Sequence, residues 1–176
     1  MALTFAPANL ALDREVLTRF NIDYINWVAE GVRRRFDISL TDLLGMTIPD
    51  YAAGALDKLC ENAPPIGVFH IVRRGESAVG MSGLRPVREG VAEIKRIYVP
   101  SALRGQGVGD AILQRLMQEA RAFGYRRVVL ESAPFMTSAH RLYEAMGFLD
   151  IAPYAKAEVP EALRHDWRFM GVEIGS

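Results

Sequence analysis

The chain has 176 residues, half of them apolar, with 21 basic and 21 acidic side chains and a formal net charge of zero. That length suits one domain with a substantial core, and the balanced charge argues against a nucleic-acid binder, which carries a basic excess. Cys60 is the only cysteine, so no intramolecular disulfide forms, and without a Cys/His cluster no metal site is expected.

The segment Met1–Leu12 is mildly apolar but has no basic n-region and no small-residue cleavage site, so no signal peptide is expected. No apolar run approaches the roughly 20 residues that span a bilayer. The expectation is a soluble, cytoplasmic protein with no membrane and no nucleic-acid partner. Arg33-Arg34-Arg35 and Arg126-Arg127 read as solvated ends of elements.

The first third of the chain reads as helical. Val16, Leu17, Phe20, Tyr24, Trp27 and Val28 recur at three- and four-residue spacing and make one apolar stripe for core packing. Thr41–Met46 and Pro49–Leu59 read as shorter helices, and Ala63-Pro64-Pro65 ends the helical region. From Ile66 the character changes. Ile66–Arg73, Ser77–Leu84 and Val91–Val99 read as three strands joined by turns at Arg74-Gly75-Glu76 and Arg88-Glu89-Gly90, an antiparallel meander. Gly80 and Gly83 hint at a bulge or a close approach.

Val108–Phe123 then carries Ile112, Leu113, Leu116, Met117, Ala120 and Phe123 on one face, an amphipathic helix stopped by Gly124. Arg127–Glu131 is a short apolar strand. Ser138–Met146 is a second helix, N-capped by Ser138 or Thr137 and ended by Gly147. Phe148–Ile151 and Trp167–Ile174 are the last strands. Strand, helix, strand from Val91 to Glu131 implies a parallel pair with a crossover, hence a mixed sheet with helices on both faces.

Between the third strand and the long helix lies Arg104-Gly105-Gln106-Gly107-Val108-Gly109. Glycines there let the backbone approach a ligand. The first N–H groups of the helix have no intrahelical partner and, with the helix dipole, favour an anion such as a pyrophosphate. A P-loop needs Gly-Lys-Ser/Thr, and here Gly109 is followed by Asp110. A dinucleotide loop needs Gly-x-Gly-x-x-Gly, which Asp110 also breaks, although Glu131 sits where a ribose-binding acid would. The acyltransferase plan, Arg/Gln-x-x-Gly-x-Gly/Ala, matches at every fixed position.

Four blocks in order now resemble the GCN5-related N-acetyltransferase (GNAT) superfamily: Glu93–Val99, Arg104–Gly109, Glu131–Met136 and Ala139–Phe148, the last carrying Leu142-Tyr143 and Gly147-Phe148. The resemblance covers 66–174. It implies a mixed α/β (α+β) fold: a central, mostly antiparallel twisted sheet with a parallel pair splayed at the cofactor site and helices on both faces. It further implies one N-acetyltransferase domain over 1–176, with 66–174 as the acyl-CoA-binding core and 1–62 as a helical acceptor-side region. Acetyl-CoA is the implied cosubstrate. Ile97, Tyr98 and Val99 would pair main-chain groups with the pantetheine arm. Arg104, Gly105, Gln106, Gly107, Val108, Gly109 and Asp110 would hold the pyrophosphate, and Tyr143 would sit near the sulfur. Seven residues before that tyrosine the family often carries Asn; here it is Met136.

The implied reaction is direct attack of a neutral amine on the thioester in a ternary complex. Glu93, acting directly or through water, is the expected proton acceptor and Tyr143 the expected donor to the leaving thiolate. An N–H near Ile97–Val99 would stabilise the oxyanion. The acceptor stays open among a small-molecule amine, an amino acid and a peptide amine, set by the N-terminal helices and by 153–166, where His165 is a candidate. A homodimer is compatible with the resemblance. The competing readings are a non-catalytic acyl-CoA-binding sensor or interaction module and an NAD-type dinucleotide-binding protein.

Overall fold

The structure is a computed structural model and describes residues 2–175. Its elements in chain order are β1 (Leu3–Pro7), α1 (Leu10–Phe36), α2 (Leu40–Leu44), α3 (Ile48–Leu59), β2 (Val68–Arg74), β3 (Ser77–Arg88) and β4 (Val91–Tyr98). They continue with α4 (Val108–Ala122), β5 (Arg127–Ser132), α5 (Thr137–Ala145), β6 (Leu149–Asp150), α6 (Glu161–Arg164) and β7 (Arg168–Glu173). The seven strands form one sheet in the order β1-β2-β3-β4-β5-β7-β6. Strands β2, β3 and β4 are the expected antiparallel meander. Among the described residues only β4 and β5 run parallel, so the sheet is not the doubly wound parallel sheet of a dinucleotide-binding domain.

Strand β1 was not expected. It is short, half exposed and closed by Pro7, which suits an edge, and it pairs antiparallel with β2 from Leu3↔Arg74 to Pro7↔His70. Helix α1 begins six residues before the apolar stripe recognised in the sequence. Asn9 caps it by accepting from the Ala11 N–H, and Arg33, Arg34 and Arg35 occupy its last turn, exposed, where cations favour the dipole. Helix α5 starts at Thr137, and its N-cap is Met136, which offers no side-chain bond. The expected Ser138 or Thr137 cap is therefore corrected, with Met136 buried instead in the core around α1.

Both faces of the sheet are covered, and β2 shows the alternation. Val68 and Val72 join Ile112, Leu113 and Leu116 of α4 in one core, together with Tyr143 and Phe148. Phe69 and Ile71 face the other way, against Leu17 and Phe20 of α1 and Leu56 of α3. A third cluster joins the C-terminal half of α1 to Ala133, Val159, Leu163 and Phe169. Among the described residues no helix is long and apolar enough to cross a membrane.

The fold places its site where β4 and β5 part. They pair only over Val91↔Arg127, Ala92↔Val128 and Glu93↔Val129. Beyond that point β5 continues to pair with β7 as far as Ser132, while β4 bends away. On its other side β4 shifts register between Met81↔Tyr98 and Gly83↔Lys95, which is a bulge at Arg96 and Ile97. Arg96 has φ 55, a left-handed conformation costly for a side-chain-bearing residue. Gly80 permits the crowding that results, since a Cβ there would lie 2.8 Å from the Tyr98 carbonyl oxygen.

Candidate active site

The gap between β4 and β5 opens into a cleft of about 680 Å³. Ile97, Tyr98 and Val99 line one wall, and Arg104, Gly105, Gly107, Gly109 and Asp110 line the end at α4. Leu130, Glu131, Ser132, Met136, Leu142 and Tyr143 line the opposite side. Among the described residues the main chain of β4 past Glu93 has no strand beside it on the β5 side, which leaves an edge that an extended ligand arm can pair with.

Gly105 and Gly107 have φ 75 and 76, left-handed values that a glycine adopts freely. Gly107 is the N-cap of α4, and its carbonyl accepts the first helical bond from the Ala111 N–H at 3.1 Å. The amides of Val108, Gly109 and Asp110 therefore stand at the helix start with no helical acceptor, as an anion site needs. Two members of the loop contribute only through backbone or lie outside the cleft. The Val108 side chain is buried in the core at 1% exposure. The Gln106 side chain turns away, accepting from Arg74 at 3.0 Å and donating to the Ala102 carbonyl. Arg104 is held over the Trp27 ring at 5.0 Å and donates to the Val99 carbonyl at 3.1 Å.

Tyr143 projects from α5 into the cleft wall, packed on Phe148 at 5.9 Å between centroids. Burial first, and the neighbouring Tyr24 second, push its pKa well above the usual tyrosine value. Its hydroxyl therefore keeps its proton at neutral pH.

Glu93 is placed otherwise than expected. It is fully buried and absent from the lining of the cleft. Its Oε2 accepts from Arg85 Nε at 2.6 Å and its Oε1 from the Tyr154 hydroxyl at 2.6 Å, with Lys95 Nζ at 3.5 Å. A carboxylate so enclosed has no face for direct contact with an incoming amine. Like Asp110 at the α4 end, Glu131 does line the cleft, at the β5 side. It accepts from Lys95 Nζ at 3.0 Å and from the amides of Glu158 and Val159.

These groups form one network. Glu158 binds Arg85 at 2.6 Å, Lys58 at 3.0 Å and Lys95 at 3.3 Å. Burial opposes a charge on Lys95, but Glu131, Glu93 and Glu158 outweigh it and raise its pKa, so it stays an ammonium. Arg85, Glu158 and Tyr154 carried no recognisable signal in the sequence, because their partners lie far along the chain. His165 is exposed and lines none of the cavities around the site; the 153–166 stretch contributes Glu158, Val159, Pro160 and Leu163 instead. Among the described residues no cluster of His, Cys, Asp or Glu side chains could hold a metal ion.

Comparison with known proteins adds an independent line. The family described as "Acetyltransferase (GNAT) family" matches residues 37–148. The N-acetyltransferase YjgM of Escherichia coli is 28% identical over 145 residues, covering 80% of this chain and 85% of the relative. N-acetyltransferase 8B of Rattus norvegicus is 35% identical over 111 residues, covering 60% of this chain; the match spans about half of that relative, 47%. The crystal structure of the PaiA N-acetyltransferase of Thermoplasma acidophilum, in complex with coenzyme A, superposes with a TM-score of 0.72 at 14% identity, covering 98% of this chain and 99% of that one; this shows a shared fold. With a matched span covering most of the chain, and a sheet that splays beside a glycine-rich helix start, the chain belongs to the GNAT acetyltransferase family.

Proposed function

We propose that the protein transfers the acetyl group of acetyl-CoA to a primary amine, with the pantetheine arm along Ile97–Val99 and the pyrophosphate on the amides that follow Gly107. The observation that carries this reading is the continuity of one cleft from the α4 helix start, along the free edge of β4, to Tyr143 and Glu131. The extended thioester arm of coenzyme A matches that path, and its anionic end matches the helix start.

The amine nitrogen attacks the thioester carbonyl carbon and forms a tetrahedral oxyanion, which a main-chain N–H in the Ile97–Val99 segment stabilises. The C–S bond then breaks. The Tyr143 hydroxyl donates its proton to the departing thiolate, and the amine's surplus proton passes to the Glu131 carboxylate, directly or through water. Glu93 acts through others: it anchors Arg85 and Lys95, which hold Glu131 and Glu158. In this role it is a positioning residue.

Thermal shift with acetyl-CoA, CoA and NADH, combined with release of free thiol from acetyl-CoA in the presence of amines, tests the reading. Stabilisation by acetyl-CoA and CoA with amine-dependent thiol release is the expected result. Stabilisation without release from any amine would leave a binding module, and stabilisation by NADH alone would overturn the cofactor.

A further inference from the structure

Beside the cleft lies a cavity of about 110 Å³ with an apolar wall of Ile25 and Val28 of α1, Leu40 and Leu44 of α2, and Leu163 and Trp167, and a charged wall that includes Lys95 and Glu158. It shares four residues with the cleft: Tyr24, Ile94, Arg96 and Glu131. Two of the four are charged, and their signs are opposite. Arg96 also lines a further cavity of about 440 Å³, with apolar walls that include Met46, Leu59 and Phe69.

Arg96 differs from the cations of the charged network beside it. Arg85, Lys95 and Lys58 each have a carboxylate. Among the described residues Arg96 forms no ion pair, and its guanidinium is held instead by the faces of Tyr24 at 5.2 Å and Tyr51 at 5.7 Å. One nitrogen reaches the Tyr51 hydroxyl at 3.4 Å. The other, Nη1, is buried with no hydrogen-bond partner. A buried guanidinium donor without an acceptor is destabilising, and the bulge that aims Arg96 costs backbone strain besides. Both costs are understandable if the side chain is set to meet an anion.

We infer that Arg96 binds the carboxylate of the acceptor, and that the acceptor is a free α-amino acid with an apolar side chain. This rests on the acetyltransferase reading above and names its substrate class. Arg96 and Glu131 both line the cleft and the cavity. A zwitterion offers one charge to each, carboxylate to Arg96 and ammonium to Glu131; the ammonium then gives up one proton through Glu131 to solvent, so that the neutral nitrogen attacks and Glu131 is again free to accept the surplus proton. One carbon separates those charges in an α-amino acid, so the nitrogen is left beside Glu131 in the cleft that Tyr143 also lines. The side chain then falls among Ile25, Val28, Leu40 and Leu163, where apolar groups are favoured, while Lys95 and Glu158 on the same cavity already pair with each other. A guanidinium suits this role, since its planar fork matches a carboxylate in two parallel bonds.

The test is a matched acceptor series with acetyl-CoA: L-leucine, L-leucinamide and 3-methylbutylamine, and likewise L-phenylalanine, L-phenylalaninamide and phenethylamine, read by thiol release. A charge-assisted hydrogen bond of about 1.5–3 kcal/mol corresponds to a preference of roughly 10- to 100-fold in kcat/KM for the free acid over the amide. Arg96→Gln should remove that preference by lowering turnover of the acid alone, and Arg96→Lys should keep part of it. The thermal shift given by acetyl-CoA should stay unchanged in both variants, which separates acceptor binding from cofactor binding. Amide or decarboxylated amine used as well as the amino acid by the wild-type protein overturns the inference, whether or not the variants fold, and leaves the transferase reading standing. A preference that survives Arg96→Gln with the acetyl-CoA shift intact overturns the assignment to Arg96. Absence of both an acetyl-CoA shift and thiol release with every amine overturns the transferase reading itself.

Discussion

Tyr143 and Glu93 show how much a side chain's role depends on its surroundings. Tyr143 is buried at 8% exposure, and that burial holds its proton in place. Tyr143→Phe removes the donor but little volume. It should lower kcat by about 100-fold, the lower end of general acid catalysis, and leave the acetyl-CoA thermal shift nearly unchanged; an unaltered kcat in the thiol-release assay would sink the donor role. Glu93→Gln should act on stability first, because it leaves Arg85 and Lys95 short of one buried countercharge. The expected loss is about 3 kcal/mol in urea unfolding. A stability within about 0.5 kcal/mol of wild type would show that Glu158 and Glu131 suffice for both cations.

At the scale of elements, the loop before α4 and the bulge in β4 set the site. Gly107 has space around a would-be Cβ, with no neighbour within 4 Å, so its constraint is purely the left-handed backbone at φ 76. Gly107→Val should therefore cost about 1–2 kcal/mol and, by unwinding the cap, shrink the acetyl-CoA thermal shift by more than half. An undiminished shift would mean the amides of Val108–Asp110 do not hold the pyrophosphate. The helix itself was legible: the Ile112, Leu113, Leu116, Met117 and Ala120 stripe is the face now buried against the sheet. The bulge was legible only as glycines at 80 and 83, because a bulge is a relation between two strands, and one strand's sequence does not state its partner's register. Strand β1 escaped notice for the same reason. Its five residues have no pattern of their own, and pairing with β2 creates the strand.

Across the whole molecule, the charged network ties the 154–159 segment to the open ends of β4 and β5. Glu158 is its hub, meeting cations from α3, β3 and β4. Burial would raise its pKa, but Lys95, Arg85 and Lys58 overcome this and hold it down to about 2, against an ordinary value of 4.5. A depressed carboxyl contributes its full stability above the unfolded value and loses it as pH falls toward the folded one. The melting temperature should thus fall as pH drops from about 4.5 toward 2, and Glu158→Gln should flatten that part of the curve relative to wild type. Parallel curves for the two proteins, by calorimetry across this range, would remove Glu158 as the source.

The sequence by itself determined what is local and periodic: the amphipathic α4, the meander of β2, β3 and β4, and the glycine-rich helix start. Each follows from side-chain period and turn chemistry within a few neighbouring residues. It also supplied the four blocks that marked the family, since Leu142-Tyr143 and Arg104–Gly109 are contiguous. Only the tertiary structure decided which carboxylate faces the cleft. Glu93 and Glu131 both lie in strands and looked alike as acids. Pairing with Arg85 and Tyr154, which come from distant parts of the chain, encloses the first. The divergence of β4 from β5 opens the second to the cleft. The same divergence left Arg96 as a cation held by rings and not by a carboxylate. Charge pairing is long-range in sequence, and so it is settled by folding and not by spacing.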